Sequence, residues 1–202
     1  MSLIKPILRK TEAGFTLVEL LVVISLVALL FVVFGTFFTN NLNLYSHYQT
    51  DASNFTELAN ESQRVAQVLR GLTDIISESS NDLSVYAYFS PVDTYVSVVH
   101  YYLNGSSTAL LADVTPMTAN PPIGTQITAK KKTYTIISNY FQQTGTNLFT
   151  YYDASGTALT TPITDEHSVV DIGVSLAEPG SHTKNGQQLG ITVSLRNRKT
   201  NL

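Results

Sequence analysis

Apolar and polar positions follow three different rules along the chain. Residues 15–38 are almost wholly apolar, 24 residues with one charge, Glu19. Farther on, Phe55, Leu58, Ala59, Ser62, Val65, Ala66, Leu69 and Leu72 recur at steps of three and four, which predicts an amphipathic helix with one apolar stripe. No proline stands between Phe15 and Val85. One continuous helix of about 55 residues is therefore expected, spanning an apolar half (15–38) and an amphipathic half (39–76). Gly71 is a candidate stop, with Leu72, Ile75 and Ile76 able to add a further turn.

From Leu83 the texture becomes that of strands. Leu83–Phe89 and Tyr95–Leu103 are rich in Tyr, Val and Phe. Asn104-Gly105 signals a turn, with Thr108–Val114 returning after it. Thr115–Gln126, with three prolines, reads as an excursion. Lys132–Asn139 is a further strand. Leu148–Asp153 and Thr157–Thr160 form a tight hairpin about Ala154-Ser155-Gly156. Val169–Leu176 and Gln188–Arg196 form a last pair. The expected fold class is α+β: a long N-terminal helix packed on an antiparallel β-sheet head over residues 83–202.

Composition sharpens this picture in two ways. Charged residues make up 13% of the 202, about half the usual share, and the formal net charge of −3 does not suggest a general nucleic-acid binder, which would usually be basic. Cysteine is absent, which excludes disulfides and thiolate metal sites and leaves the head to its hydrophobic core. About 120 residues beyond the first helix suffice for such a core.

The apolar run makes a helix of roughly 36 Å, enough to cross a bilayer core of about 30 Å. Lys5, Arg9 and Lys10 precede it, which keeps the N-terminus in the cytoplasm and places the rest outside. A cleaved secretory signal would have a shorter apolar stretch and a small-residue cleavage site, neither of which is present. A plain anchor accounts for the length but not for Glu19. A carboxylate in a spanning helix costs roughly 2.5–3.5 kcal/mol at mid-bilayer and less near an end. Two readings stay open on the residues alone. Glu19 snorkels to water, or it awaits a cation. A cut between Gly14 and Phe15 would create an α-ammonium four residues before Glu19, on the same helix face and at the positive end of the helix dipole. An ammonium from a neighbouring, axially shifted helix would serve equally.

Gly14-Phe15-Thr16-Leu17-Val18-Glu19, followed by Leu20-Leu21-Val22-Val23-Ile24, resembles the class III signal of type IV pilins and type II secretion pseudopilins. The resemblance implies a 1–14 leader cut after Gly14 by a prepilin peptidase, methylation of the new amine at Phe15, and pairing of Glu19 with the N-terminus of a neighbouring subunit. It implies a pilin fold and, as partners, other pilin or pseudopilin subunits, the peptidase, and an inner-membrane assembly platform. The location it implies is a single pass through the cytoplasmic membrane, then a filament at the cell surface. The chain departs from many major pilins in lacking a membrane-segment proline and any cysteine. Leu148–Gly156 and the ending Ile191–Arg198 resemble PilW-like minor pilins and J-type pseudopilins. The leader holds three of the twelve basic residues and one of the fifteen acidic ones, so the mature chain carries nine against fourteen, a net −5.

Catalytic and metal chemistry find little support. His47, His100, His167 and His182 are scattered without metal-ligand spacing. Asp165-Glu166-His167 reads as a helix start or solvated turn, and Asp153–Gly156 lacks the acidic spacing of a calcium loop. No phosphate loop or serine elbow occurs, so neither enzyme nor cofactor is expected. Lys130-Lys131-Lys132 and Arg196, Arg198 and Lys199 form two basic clusters. Beside tyrosines they are candidate contacts for a DNA backbone, although a solvated face and charged tail is the preferred reading. The sequence thus favours a structural minor pilin or pseudopilin. The rivals are a surface binding module, an adhesin or DNA-uptake subunit, and a plain membrane-anchored exoprotein.

Overall fold

The computed structural model describes residues 14–179 and 186–195. The chain divides into two compact units at Tyr48/Gln49. A single helix, α1 (Leu17–Arg70), has 54 residues, as its unbroken, proline-free sequence predicts. In the first unit its side chains are exposed. In the second unit Leu58, Ser62, Val65, Ala66, Val68 and Leu69 are buried, which is the stripe read from the sequence. The hydroxyl of Ser62 is satisfied within the helix by donating to the Ala59 carbonyl at 2.8 Å.

The head carries two antiparallel sheets where the sequence suggested one. The larger contains β1 (Leu72–Glu78), β2 (Asp82–Ala87), β3 (Ser97–Leu103), β4 (Leu110–Pro116) and β5 (Lys132–Ile137), in that spatial order. The smaller contains β6 (Phe149–Tyr152), β7 (Ala158–Leu159), β8 (Asp171–Glu178) and β9 (Gln187–Ser194), in the order β7-β6-β8-β9. Main-chain bonds stitch them together: Phe149 N–H donates to Ser80 O, and Phe141 N–H to Ala177 O, both at 2.9 Å. The buried Tyr151 hydroxyl donates to Ser79 O at 2.9 Å. Leu58, Val65 and Leu69 of α1 share one apolar core with Leu83, Val85, Val99, Tyr101, Phe149, Ile172 and Val174.

The helix does not reach residue 76. Gly71 N–H bonds back to Val68 O at 3.1 Å, and the chain then enters β1. Two register shifts in the β1–β2 ladder, at Leu72/Asp74 and Ile75/Ser77, account for the mistaken helical reading. Each bulge adds a residue to the two-residue strand period. Buried Leu72 and Ile75 thereby acquire a helical spacing of three.

Turns follow the expected chemistry, with one difference. At Asp153–Thr157, the Asp153 carboxylate accepts from the N–H groups of Ser155 and Thr157, both at 2.9 Å, and Gly156 takes φ +81°. The β3–β4 turn is longer than a two-residue Asn-Gly hairpin. Asn104 Oδ1 accepts from Thr108 and Ala109, and the left-handed position falls on Ser107 rather than Gly105.

Candidate functional site

The start of α1 is built as a reciprocal cap. Thr16 is the last residue before the helix, and Glu19 stands three positions later. Glu19 N–H donates to Thr16 Oγ1 at 3.2 Å. In return, Glu19 Oε2 accepts from Thr16 N–H and from the Thr16 hydroxyl, both at 3.0 Å. This is a capping box, and its T-x-x-E signature stands in the sequence. It involves only residues after Gly14, so a cut at that position leaves both partners on the helix. Both readings of Glu19 from the sequence, a charge that snorkels to water and one that awaits a cation, concern the membrane. Thr16 gives it a local role as well.

Gly14 and Phe15 precede the cap, and Phe15 is exposed. From Leu17 onward the helix is long and apolar enough to cross a membrane, and the span that meets this test has no buried residue. In water such a surface would be a large exposed apolar patch, so lipid or neighbouring helices are its natural surroundings.

A turn of 3₁₀-helix, Thr128–Lys130, and the start of β5 position the first lysine cluster. The three lysines are exposed. Lys131 Nζ lies 2.7 Å from the Asp113 carboxylate on β4. That bond and the charge of Asp113 hold the Lys131 ammonium above its ordinary range. For Asp113, burial pushes upward. Hydrogen bonds from Lys131 and Thr133, with the nearby ammonium, outweigh it and keep the carboxyl below its usual range. Lys130 and Lys132 line a surface cavity of about 540 Å³ with Phe89, Tyr134 and Asp93. The rings of Phe89 and Tyr134 are 4.9 Å apart, and the Arg64 guanidinium sits 5.3 Å from the Phe89 centroid. The groove is thus aromatic and mixed in charge. Arg196, Arg198 and Lys199 lie outside the described residues, as does His182.

The other polar candidates resolve into local structure. His100 Nε2 is 2.7 Å from Asp82 Oδ2, and its ring stacks on Tyr102 at 4.7 Å. Asp165 caps the short 3₁₀ turn Glu166–Ser168 by accepting from His167 N–H at 3.0 Å, a solvated turn as expected. Among the described residues, no three His, Cys, Asp or Glu side chains gather as a metal site.

Residues 9–34 match the family model of the prokaryotic N-terminal methylation motif. The match covers the start of the chain alone, and with the long helix and antiparallel sheets it makes the chain similar to type IV pilins and pseudopilins. A comparison with curated proteins gives no match. For this pilin-like chain, the motif implies processing by a prepilin peptidase, pilin partners in general, and a membrane-anchored or surface location. It also implies a structural rather than an enzymatic role.

Proposed function

We propose that the chain is a minor pilin or pseudopilin, cut after Gly14 and methylated on Phe15, that enters or primes a type IV pilus-like filament. The observation that carries this reading is the methylation motif at the head of an exposed apolar helix that ends in a compact α+β unit. Before processing, the apolar half of α1 rests in the cytoplasmic membrane, held by an assembly platform. After processing, it packs among the helices of other subunits. Glu19, while capping its own helix, offers its charge to the new amine at residue 15 of a neighbour. Charge complementarity of this kind sets register more than it adds affinity.

Intact-mass measurement of the membrane-extracted protein tests the reading. A mature species beginning at methylated Phe15 is expected. A species still beginning at Met1, in cells with an active prepilin peptidase, overturns it and leaves a plain anchored exoprotein. Glu19→Ala is expected to leave cleavage intact and hinder incorporation into filaments, and normal incorporation rejects the pairing.

The groove beside Lys130 and Lys132 supports a second reading, a head that captures a polyanion such as DNA on its aromatic and basic side chains. Loss of salt-sensitive DNA retention on neutralising both lysines is expected if it holds; unchanged retention rejects it.

A further inference from the structure

An open sheet edge presents unpaired N–H and C=O groups to any passing strand, and proteins blunt such edges by bulges, charge or brevity. Among the described residues the two sheets leave four edges: β1, β5, β7 and β9. Three are blunted. β1 has two register shifts and carries Asp74 and Glu78. β5 opens with Lys132, directly behind Lys130 and Lys131. β7 is two residues long. β9 differs from all of these. Its eight residues, Gln187–Ser194, contain no charge and no proline, and pair with β8 without a register shift.

The outward-facing groups of β9 follow from the ladder. Leu195 N–H donates to Val170 O, so residues 195 and 170 form a hydrogen-bonded pair. Antiparallel pairs alternate, so residues 193, 191, 189 and 187 also bond to β8. Gln188, Gly190, Thr192 and Ser194 therefore turn their N–H and C=O groups to the free edge, where no described strand meets them. The side chains of Leu189 and Ile191 pack on the core but remain partly exposed. Gly190 has open space where a Cβ would stand, and its φ is not positive, so the fold of one chain does not require glycine there. An edge that must admit another backbone closely gives it a use.

We propose that β9 is an interaction edge, and that its occupant is β9 of a second copy of this chain, paired antiparallel about a two-fold axis at Ile191. In this register every outward group is used. Gly190 faces Thr192 of the copy, and Gln188 faces Ser194. On the core side, Ile191 faces Ile191 and Leu189 faces Val193, so the half-covered apolar side chains gain cover. Being neutral, β9 meets its copy without opposing like charges. Such a two-fold contact closes on itself rather than propagating. The pair is thus a dimeric state of the head, and it does not rest on the filament reading above.

The absence of cysteine makes the test direct, since an introduced thiol is the chain's sole one. Residues directly opposite in a non-hydrogen-bonded antiparallel pair have Cα atoms about 4.5 Å apart, within disulfide reach. Full-length Ile191→Cys in detergent micelles should oxidise to a species of twice the mass. Gly190→Cys or Thr192→Cys alone should give at least tenfold less, whereas the two mixed should cross-link to each other. Adding Thr192→Pro to Ile191→Cys should cut the yield at least tenfold. It removes an outward N–H only, so an unchanged melting midpoint separates lost pairing from lost folding; where that variant melts early, the 190/192 mixing experiment decides. Monomeric Ile191→Cys, equal yields at all three positions, or an adduct whose mass contains a different protein would each overturn the proposal.

Discussion

The ammonium of Lys131 stands 2.7 Å from the carboxylate of Asp113, so the middle lysine of the Lys130–Lys132 run is already engaged within the head. Asp113 is buried between β3 and β5, and Thr133 donates to it as well. Removing the cation leaves a buried carboxylate with poorer partners. Lys131→Met should therefore destabilise the head modestly, since the lysine itself is half exposed and screened by water. Lys130→Met and Lys132→Met should stay within about 0.5 kcal/mol of the parent. Urea midpoints of the three variants check the contrast.

The same pair predicts an acid dependence. Asp113 is held below its ordinary range in the folded state. Its contribution is present above the unfolded-state carboxyl range and is lost as pH falls through the lower folded value. Asp113→Asn should flatten the fall in stability at acid pH. An Asn variant with the parent's acid limb would show that other carboxylates dominate.

Glu178 behaves in the opposite way. It is buried at the end of β8, and burial, then the nearby Glu57, pushes its carboxyl above the usual range. A raised acid favours folding while protonated and loses that contribution as pH rises through the folded value. Glu178→Gln should then stabilise the head at pH 7 by about 1 kcal/mol and make no difference near pH 3, where both side chains are neutral. Thermal melts at the two pH values give the answer, and a variant destabilised at pH 7 would reject the prediction.

Thr16 and Glu19 allow the cap and the charge to be separated. Glu19→Gln keeps an oxygen for the Thr16 N–H and hydroxyl but discards the charge. Thr16→Ala keeps the charge and breaks the cap, at about 1 kcal/mol in the first turn. If the charge drives entry into a filament, Glu19→Gln assembles poorly and Thr16→Ala assembles well. The reverse order would assign the defect to fraying. Amide exchange over residues 16–20 reports the cap, and filament incorporation reports the charge.

Much of this was legible in the residues. The 24-residue apolar run and the stripe from Leu58 to Leu69 depend on local period, and the helix formed as read as far as Arg70, short of the expected residue 76. The pairings of β3 with β4, β6 with β7 and β8 with β9 follow from turn signals and strand-like composition. The split into two sheets depends on which strands refuse to pair, and no local signal encodes that. β1 hid because its bulges imitate a helical period. The Thr16–Glu19 box was legible as T-x-x-E but was eclipsed by the larger question of a charge in a membrane. The Lys131–Asp113 bond joins the residue just before β5 to β4 across 18 positions, and only the fold brings the two together.

Two glycines give a last test of what ends the helix. Gly71 follows Arg70, where a glycine stop is expected, yet its φ is not positive, and a Cβ added there would meet Val68 O at an ordinary 3.6 Å. Gly156 in the β6–β7 turn has φ +81°, a conformation that costs an L side chain roughly 1–2 kcal/mol. Gly71→Ala should therefore leave the melting midpoint within about 2 °C of the parent, with the helix still ending at the same place, because the pairing of Leu72 with Ala87 pulls the chain into β1. Gly156→Ala should lower the midpoint by several degrees, in keeping with a loss of about 1 kcal/mol. A Gly71→Ala variant that gains helical circular dichroism at the expense of β1 would show that glycine, rather than strand pairing, sets the boundary.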